Sequence, residues 1–244
     1  MKARQEGISL ARERLQLTEA IFDLFEMEAA DFRLDEKIKP YLNAIPGYRE
    51  RLHECYAKLD RLAHLDALQT GSFKDSRDGK TYKSARIGNQ TWMAENLNYE
   101  TGSGSWCYDD SKSNCNIYGR LYDWETARKA CPPGWHLPSD SEWTQLTIYL
   151  GDENVAGGKL KATTLWNSPN TAADNSSGFS ALPGGARDND GSFVNIGYIG
   201  VWWSSNEYYT NYLWLRSLSY SGGDILRRAT ASKAYGFSVR CIKD

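Results

Sequence analysis

The sequence predicts an α+β domain over residues 71–244, preceded by an α-helical hairpin over residues 1–70. Three observations lead there. All nine tryptophans fall after residue 90. Past Gly71, short apolar or aromatic runs are bounded by Gly, Asn, Asp and Ser, the pattern of short strands between turns. Before Thr70, apolar residues instead recur at spacings of three and four, the period of a helix. The change in composition puts a domain boundary near Gln69-Thr70-Gly71-Ser72.

In the first segment Ile8, Ala11, Leu15, Thr18, Phe22, Phe25, Ala29 and Phe32 form one helical seam. A second row, Leu10, Leu17, Ile21 and Leu24, falls on nearly the opposite side. Pro40 and the turn Ile45-Pro46-Gly47 end the pattern. A second helix then carries Leu52, Cys55, Leu59 and Leu62 on one face. A two-helix hairpin covers one face of each helix, which leaves the second row of the first helix without a cover. Two expectations follow: a hairpin that caps the neighbouring domain, or self-association and docking to a partner helix through residues 1–70.

In the second segment the runs "KTYKSARIG", "QTWMAENLNY", "GSFVNIGYIGVWWSS", "YLWLRSLSY" and "YGFSVRCI" read as strands. Two helices are expected among them. One covers Trp124–Ala130 and ends at Cys131-Pro132-Pro133-Gly134. The other starts at Ser139 or Asp140, where a capping residue precedes Glu142, and runs to about Leu150.

Composition sets the function classes aside in turn. With 41% apolar and 25% charged residues, the chain has the make-up of a protein that buries a core. A net charge of −2 gives no basic surplus, so no nucleic-acid partner is expected. No run of about 18 apolar residues occurs, so no membrane span is expected. Arg4, Arg12, Glu13, Arg14, Glu19 and Asp23 interrupt the start, so no signal peptide is expected in this chain.

Of the five cysteines, Cys107, Cys115, Cys131 and Cys241 lie in the second segment, an even number. A bridge between Cys107 and Cys115 would close the polar loop "YDDSKSN". A bridge between Cys131 and Cys241 would tie the end of a helix to the last strand. Reduced thiols and a zinc site are the alternatives. Zinc is disfavoured, because there is no CxxC pair and His136 is the one histidine in this segment. Disulfides would imply an oxidising compartment. Cys55 then remains as a buried thiol on its helix.

Catalytic chemistry finds no residues to carry it. His53 and His64 are eleven apart on one helix, about three turns, and cannot share a metal there. "DGKT" (Asp78–Thr81) lacks the leading glycine of a phosphate loop and reads as a turn. "DNDG" (Asp188–Gly191) reads as a hairpin turn rather than a calcium loop. No GxSxG, HExxH or GxGxxG occurs. No catalytic residue, metal or cofactor is expected.

Six blocks in order, "FKDSRDGKTYKSARIGNQTWMAENLNY", "SWCYDD", "YGRLYDWETA", "CPPGWHLPSDSEW", "WWSSNEY" and "YGFSVRCIKD", closely resemble the Fibrobacter succinogenes major paralogous domain over about residues 73–244. That resemblance implies a C-type-lectin-like fold, shared with formylglycine-generating enzymes and the variable receptor proteins of diversity-generating retroelements. It also implies an extracellular or cell-surface protein. The enzyme branch transfers poorly: its paired C-terminal thiols are not here, since Cys241 stands alone. The Glu-Pro-Asn and Trp-Asn-Asp calcium motifs of animal lectins are missing too.

The binding branch transfers better. In the retroelement proteins the segment before the final strand faces the ligand. Here it carries Asn206, Tyr208, Tyr209, Asn211, Tyr212, Trp214, Arg216, Tyr220, Arg227 and Arg228, residue types that suit adaptable recognition. Strand alternation in "YLWLRSLSY" is expected to turn Leu213, Leu215 and Leu218 inward and Tyr212, Trp214 and Arg216 outward. Tyr208, Tyr209, Tyr212, Trp214, Arg216 and Arg228 should then share one exposed surface. Trp92, Trp124, Trp135 and Trp143 are expected in the core, and His136 as a structural residue. The leading expectation is a non-enzymatic binding or adhesion module for a protein or glycan. A structural part of an envelope or extracellular assembly comes second, and an enzyme of the formylglycine-generating type last.

Overall fold

A computed structural model describes residues 70–209, 212–230 and 232–244. The expected helical hairpin lies outside the described residues. A five-stranded sheet has the order β1-β2-β3-β13-β6. It joins β1 (Thr70–Lys74), β2 (Thr81–Ile87), β3 (Gln90–Met93), β6 (Trp135–His136) and β13 (Ile242–Lys243). A six-stranded sheet has the order β11-β10-β9-β12-β5-β4. Its members are β4 (Ser105–Trp106), β5 (Leu121–Tyr122), β9 (Ile199–Tyr209), β10 (Tyr212–Ser219), β11 (Leu226–Thr230) and β12 (Phe237–Ser238). A small hairpin pairs β7 (Ala186–Arg187) with β8 (Phe193–Val194). The fold class is α+β, as the sequence predicts.

Four helices lie among the described residues: α1 (Lys112–Tyr118), α2 (Trp124–Ala130), α3 (Asp140–Tyr149) and α4 (Glu153–Leu160). Both expected helices form with their expected starts and ends. The Ser139 hydroxyl accepts from the Glu142 main chain, and the Glu142 carboxylate accepts from the Ser139 main chain, completing a capping box. Such a cap contributes about 1 kcal/mol. The other two helices correct the expectation of two. The supposed polar loop between Cys107 and Cys115 is a 3-10 turn, Tyr108–Asp110, followed by the first residues of α1. α4 carries Gly157 and Gly158, which weaken a helix in isolation. They are there for close approach: a Cβ on Gly157 would stand 2.1 Å from the Asp224 carbonyl oxygen, and one on Gly158 2.3 Å from that of Ala172.

Both disulfides are present, Cys107 to Cys115 and Cys131 to Cys241, with Cα separations of 4.9 and 5.9 Å. The second ties the end of α2 to the chain just before β13. "YGFSVRCI" is therefore two strands, β12 in one sheet and β13 in the other, with Val239, Arg240 and Cys241 buried between them.

The six-stranded sheet is covered on both faces. Val201, Trp203, Leu213 and Leu215 pack into one core with Trp124, Ala127 and Ala130 of α2. Trp202 and Leu218 pack into a second core with Trp143, Leu146 and Leu150 beside α3 and Leu160 of α4. Adjacent Trp202 and Trp203 thus enter opposite cores, as strand alternation requires. Trp92, Trp124 and Trp143 are fully buried, while Trp135 is half-buried against Phe73. No helix among the described residues is long and apolar enough to cross a membrane.

Candidate functional site

The long hairpin of β9 and β10 extends past both cores, and its end carries the aromatic residues. Tyr208, Tyr209 and Tyr212 are 60%, 74% and 46% exposed. Tyr209 and Tyr212 are cross-strand partners. Asn211 lies outside the described residues.

Behind these tyrosines is a fixed stack. The Tyr208 and Trp214 rings are 4.4 Å apart with planes tilted by 56°. The Arg227 guanidinium lies 3.7 Å from the Trp214 ring centroid. Arg227 Nη2 also donates to Asp140 Oδ2 at 2.7 Å. Arg216 Nη1 donates to the other carboxylate oxygen of Asp140 at 2.7 Å, and its Nη2 reaches Thr144 Oγ1 at 3.1 Å. The Asn206 side-chain oxygen accepts from the Asp140 main-chain N–H at 2.8 Å. Asp140, the first residue of α3, therefore holds two arginines with its side chain and one asparagine with its backbone. The cation–π contact adds about 0.5–1 kcal/mol.

This geometry corrects three expectations. Arg216 is not on an exposed face but 1% exposed. Alternation does turn it away from Leu213 and Leu215, but that second face is covered by α3, so a charged residue there needs Asp140. Leu218 is buried on Arg216's face, not on that of Leu213 and Leu215. Arg228 pairs with Leu215 whereas Arg227 pairs with Arg216. Directly paired residues share a face, so Arg228 lies across the sheet from Trp214. Tyr220 stands apart, packed edge-on against Tyr198 at 5.2 Å. The structure brings together Asn206, Tyr208, Trp214, Arg216 and Arg227, with Tyr209 and Tyr212 alongside at the hairpin end. The residue that organises them, Asp140, was legible in the sequence only as a helix start.

Burial pushes the Asp140 carboxyl upward, but the hydrogen bonds from Arg227 and Arg216 hold it below its ordinary value. Arg216 is lowered by its own burial against the pull of Asp140. As a guanidinium it nevertheless keeps its charge.

His136 behaves as a structural residue. Its Nδ1 is 2.6 Å from Asp244 Oδ1 and its Nε2 2.9 Å from Glu142 Oε1. Burial lowers its pKa, yet hydrogen bonds to Asp244 and Glu142 raise it above the ordinary value overall. A raised histidine stabilises the fold fully below about pH 6.5, and this stabilisation is lost as pH rises through the folded-state value. Asp140 works the other way: its stabilisation is present above about pH 3.9 and lost as pH falls through its depressed value. We expect the thermal midpoint to fall on both sides of a weakly acidic maximum. His136→Gln should flatten the alkaline limb in a melting series from pH 5 to 9. An unchanged alkaline limb in that variant would assign the effect to other groups.

Among the described residues the site holds no cluster of three or more His, Cys, Asp or Glu side chains placed to bind a metal. What it presents is an aromatic, hydrogen-bonding surface on a disulfide-braced α+β domain. The Fibrobacter succinogenes major domain model matches residues 85–243, well over half of the chain, and the chain belongs to that family. Comparison with curated proteins and with solved structures gives no match.

Proposed function

We propose that the domain over residues 71–244 is a non-enzymatic, C-type-lectin-like binding or adhesion module. It acts at the cell surface or outside the cell and recognises a protein or glycan through Tyr208, Tyr209 and Tyr212, which stand exposed at the end of the β9–β10 hairpin. The observation that carries this reading is the exposure of three tyrosines on a hairpin that Trp214, Arg227 and Asp140 hold in place. Burying a large side chain gains about 1.5–3 kcal/mol relative to leaving it exposed. Folding alone gives no reason to display three together beside a stack this well fixed, whereas recognition does. Tyrosine offers large contact area at low entropic cost, and a pre-ordered surface loses little freedom on binding.

The two disulfides support an oxidising location. Cys241 is bonded to Cys131, which leaves it no free thiol for chemistry of the formylglycine-generating type. A screen of the full chain against arrayed glycans and surface proteins tests the reading. The expected hits are lost when the screen is repeated with Tyr208→Ala/Tyr212→Ala. Hits that survive this double substitution would place recognition elsewhere.

A further inference from the structure

A concave surface shares no residue with the tyrosine-bearing hairpin end. This groove, of about 390 Å³, runs between β2, the segment that follows β3 and the disulfide-bonded α1. Its size suits a small ligand. Lys80, Lys83, Glu95, Asn98 and Asn116 line it, and its floor includes Asn96.

The charge beneath that floor is unusual. Arg240 is fully buried, and every partner it has is neutral. Its Nε and Nη2 donate to Asn96 Oδ1 at 3.1 and 2.8 Å. Nη1 donates to the carbonyls of Met93 and Phe179, and Nη2 also to that of Ser180. The donors are satisfied but the charge is not. Its nearest acidic influence, Glu95, acts through space rather than by a hydrogen bond. At the rim, Lys80 is paired with Asp78 at 3.3 Å, and the Glu95 carboxylate accepts from the Lys83 main chain at 2.7 Å. The lysine and carboxylate charges of the rim balance, so the guanidinium under the floor leaves the groove with a net positive potential. Screening is weak for a charge buried this deeply.

We infer that this groove binds a small hydroxyl-bearing molecule carrying one anionic group. The buried Arg240 and Lys83 attract the anion, and Asn98 and Asn116 hydrogen-bond the hydroxyls. The shared chemistry is a negative charge on a polyol, whether carboxylate or phosphate.

The test titrates the full chain at low salt with glucuronate, glucose 6-phosphate and glucose, following amide NMR shifts. Both anionic probes should bind more tightly than glucose, and the stronger of the two identifies the anion. Lys83→Glu reverses a charge on an exposed side chain and should leave the melting temperature unchanged. It should weaken the anionic probes about tenfold, while Glu95→Gln should tighten them several-fold. Binding of both anions no tighter than that of glucose overturns the inference. So does anion affinity that is insensitive to Lys83→Glu, or the absence of shifts at about 10 mM probe.

Discussion

Replacing Cys131 and Cys241 together by serine should lower the unfolding free energy by about 4–5 kcal/mol. The bridge closes a loop of 110 residues, and in the chain-entropy view a longer loop constrains the unfolded chain more. Its position adds to that effect. Cys241 stands between β12 and β13, so the bridge fastens α2 to a short segment whose two strands enter different large sheets. The Cys107→Ser/Cys115→Ser pair closes only eight residues and should cost about 2–3 kcal/mol. Urea unfolding of both variants gives the comparison. A smaller loss for the long bridge than for the short one would contradict the expected order.

Asp140→Ala should cost about 3–5 kcal/mol, as expected when a buried pair loses one partner. The substitution leaves the Arg216 guanidinium, with 2% of its side chain exposed, enclosed by α3 without a counter-charge. It also releases Arg227 from its hold. Arg216→Met should cost less, because it removes the buried charge along with the pair and keeps the packing volume. Arg227→Ala should cost about 1 kcal/mol or less, since that guanidinium is 41% exposed. The ranking is measurable by thermal or urea unfolding. If Asp140→Ala were no worse than Arg227→Ala, the bridge to Arg216 would not be holding the hairpin.

Much of this was legible because its causes are local. The capping box of α3, the Pro-Pro-Gly stop of α2 and the Asp188–Gly191 hairpin turn are each set by a few neighbouring residues. The cysteine pairing could be read from the even number of cysteines in the second segment, the polar loop that the short bridge closes, the helix end and last strand that the long bridge ties, and the family resemblance. Arg216 was misplaced for a different reason. Period-two alternation gives an outward face only when one side of a sheet meets water, and here α2 and α3 cover both. Whether a given even position is exposed then depends on how far along the hairpin the helices reach. Tyr212 lies beyond that reach, Trp214 at its margin and Arg216 within it. Asp140, 76 residues from Arg216, cannot be linked to it by any local pattern. The two glycines of α4 argue against a helix until the carbonyls of Asp224 and Ala172 are seen against them. Trp214, expected on an exposed surface, is instead half-buried between Tyr208 and Arg227.

The most direct measurement compares Tyr208→Ala/Tyr212→Ala with Trp214→Ala, following both the melting temperature and the binding of a ligand identified by the screen. The two tyrosines are exposed and hold nothing beneath them but the side of one ring. Their removal should leave the melting temperature nearly unchanged while abolishing binding. Trp214→Ala should lower the melting temperature, because it takes away the ring under Arg227. If the tyrosine variant melted early, or bound as the unaltered chain does, the hairpin face would be packing surface and not a recognition site.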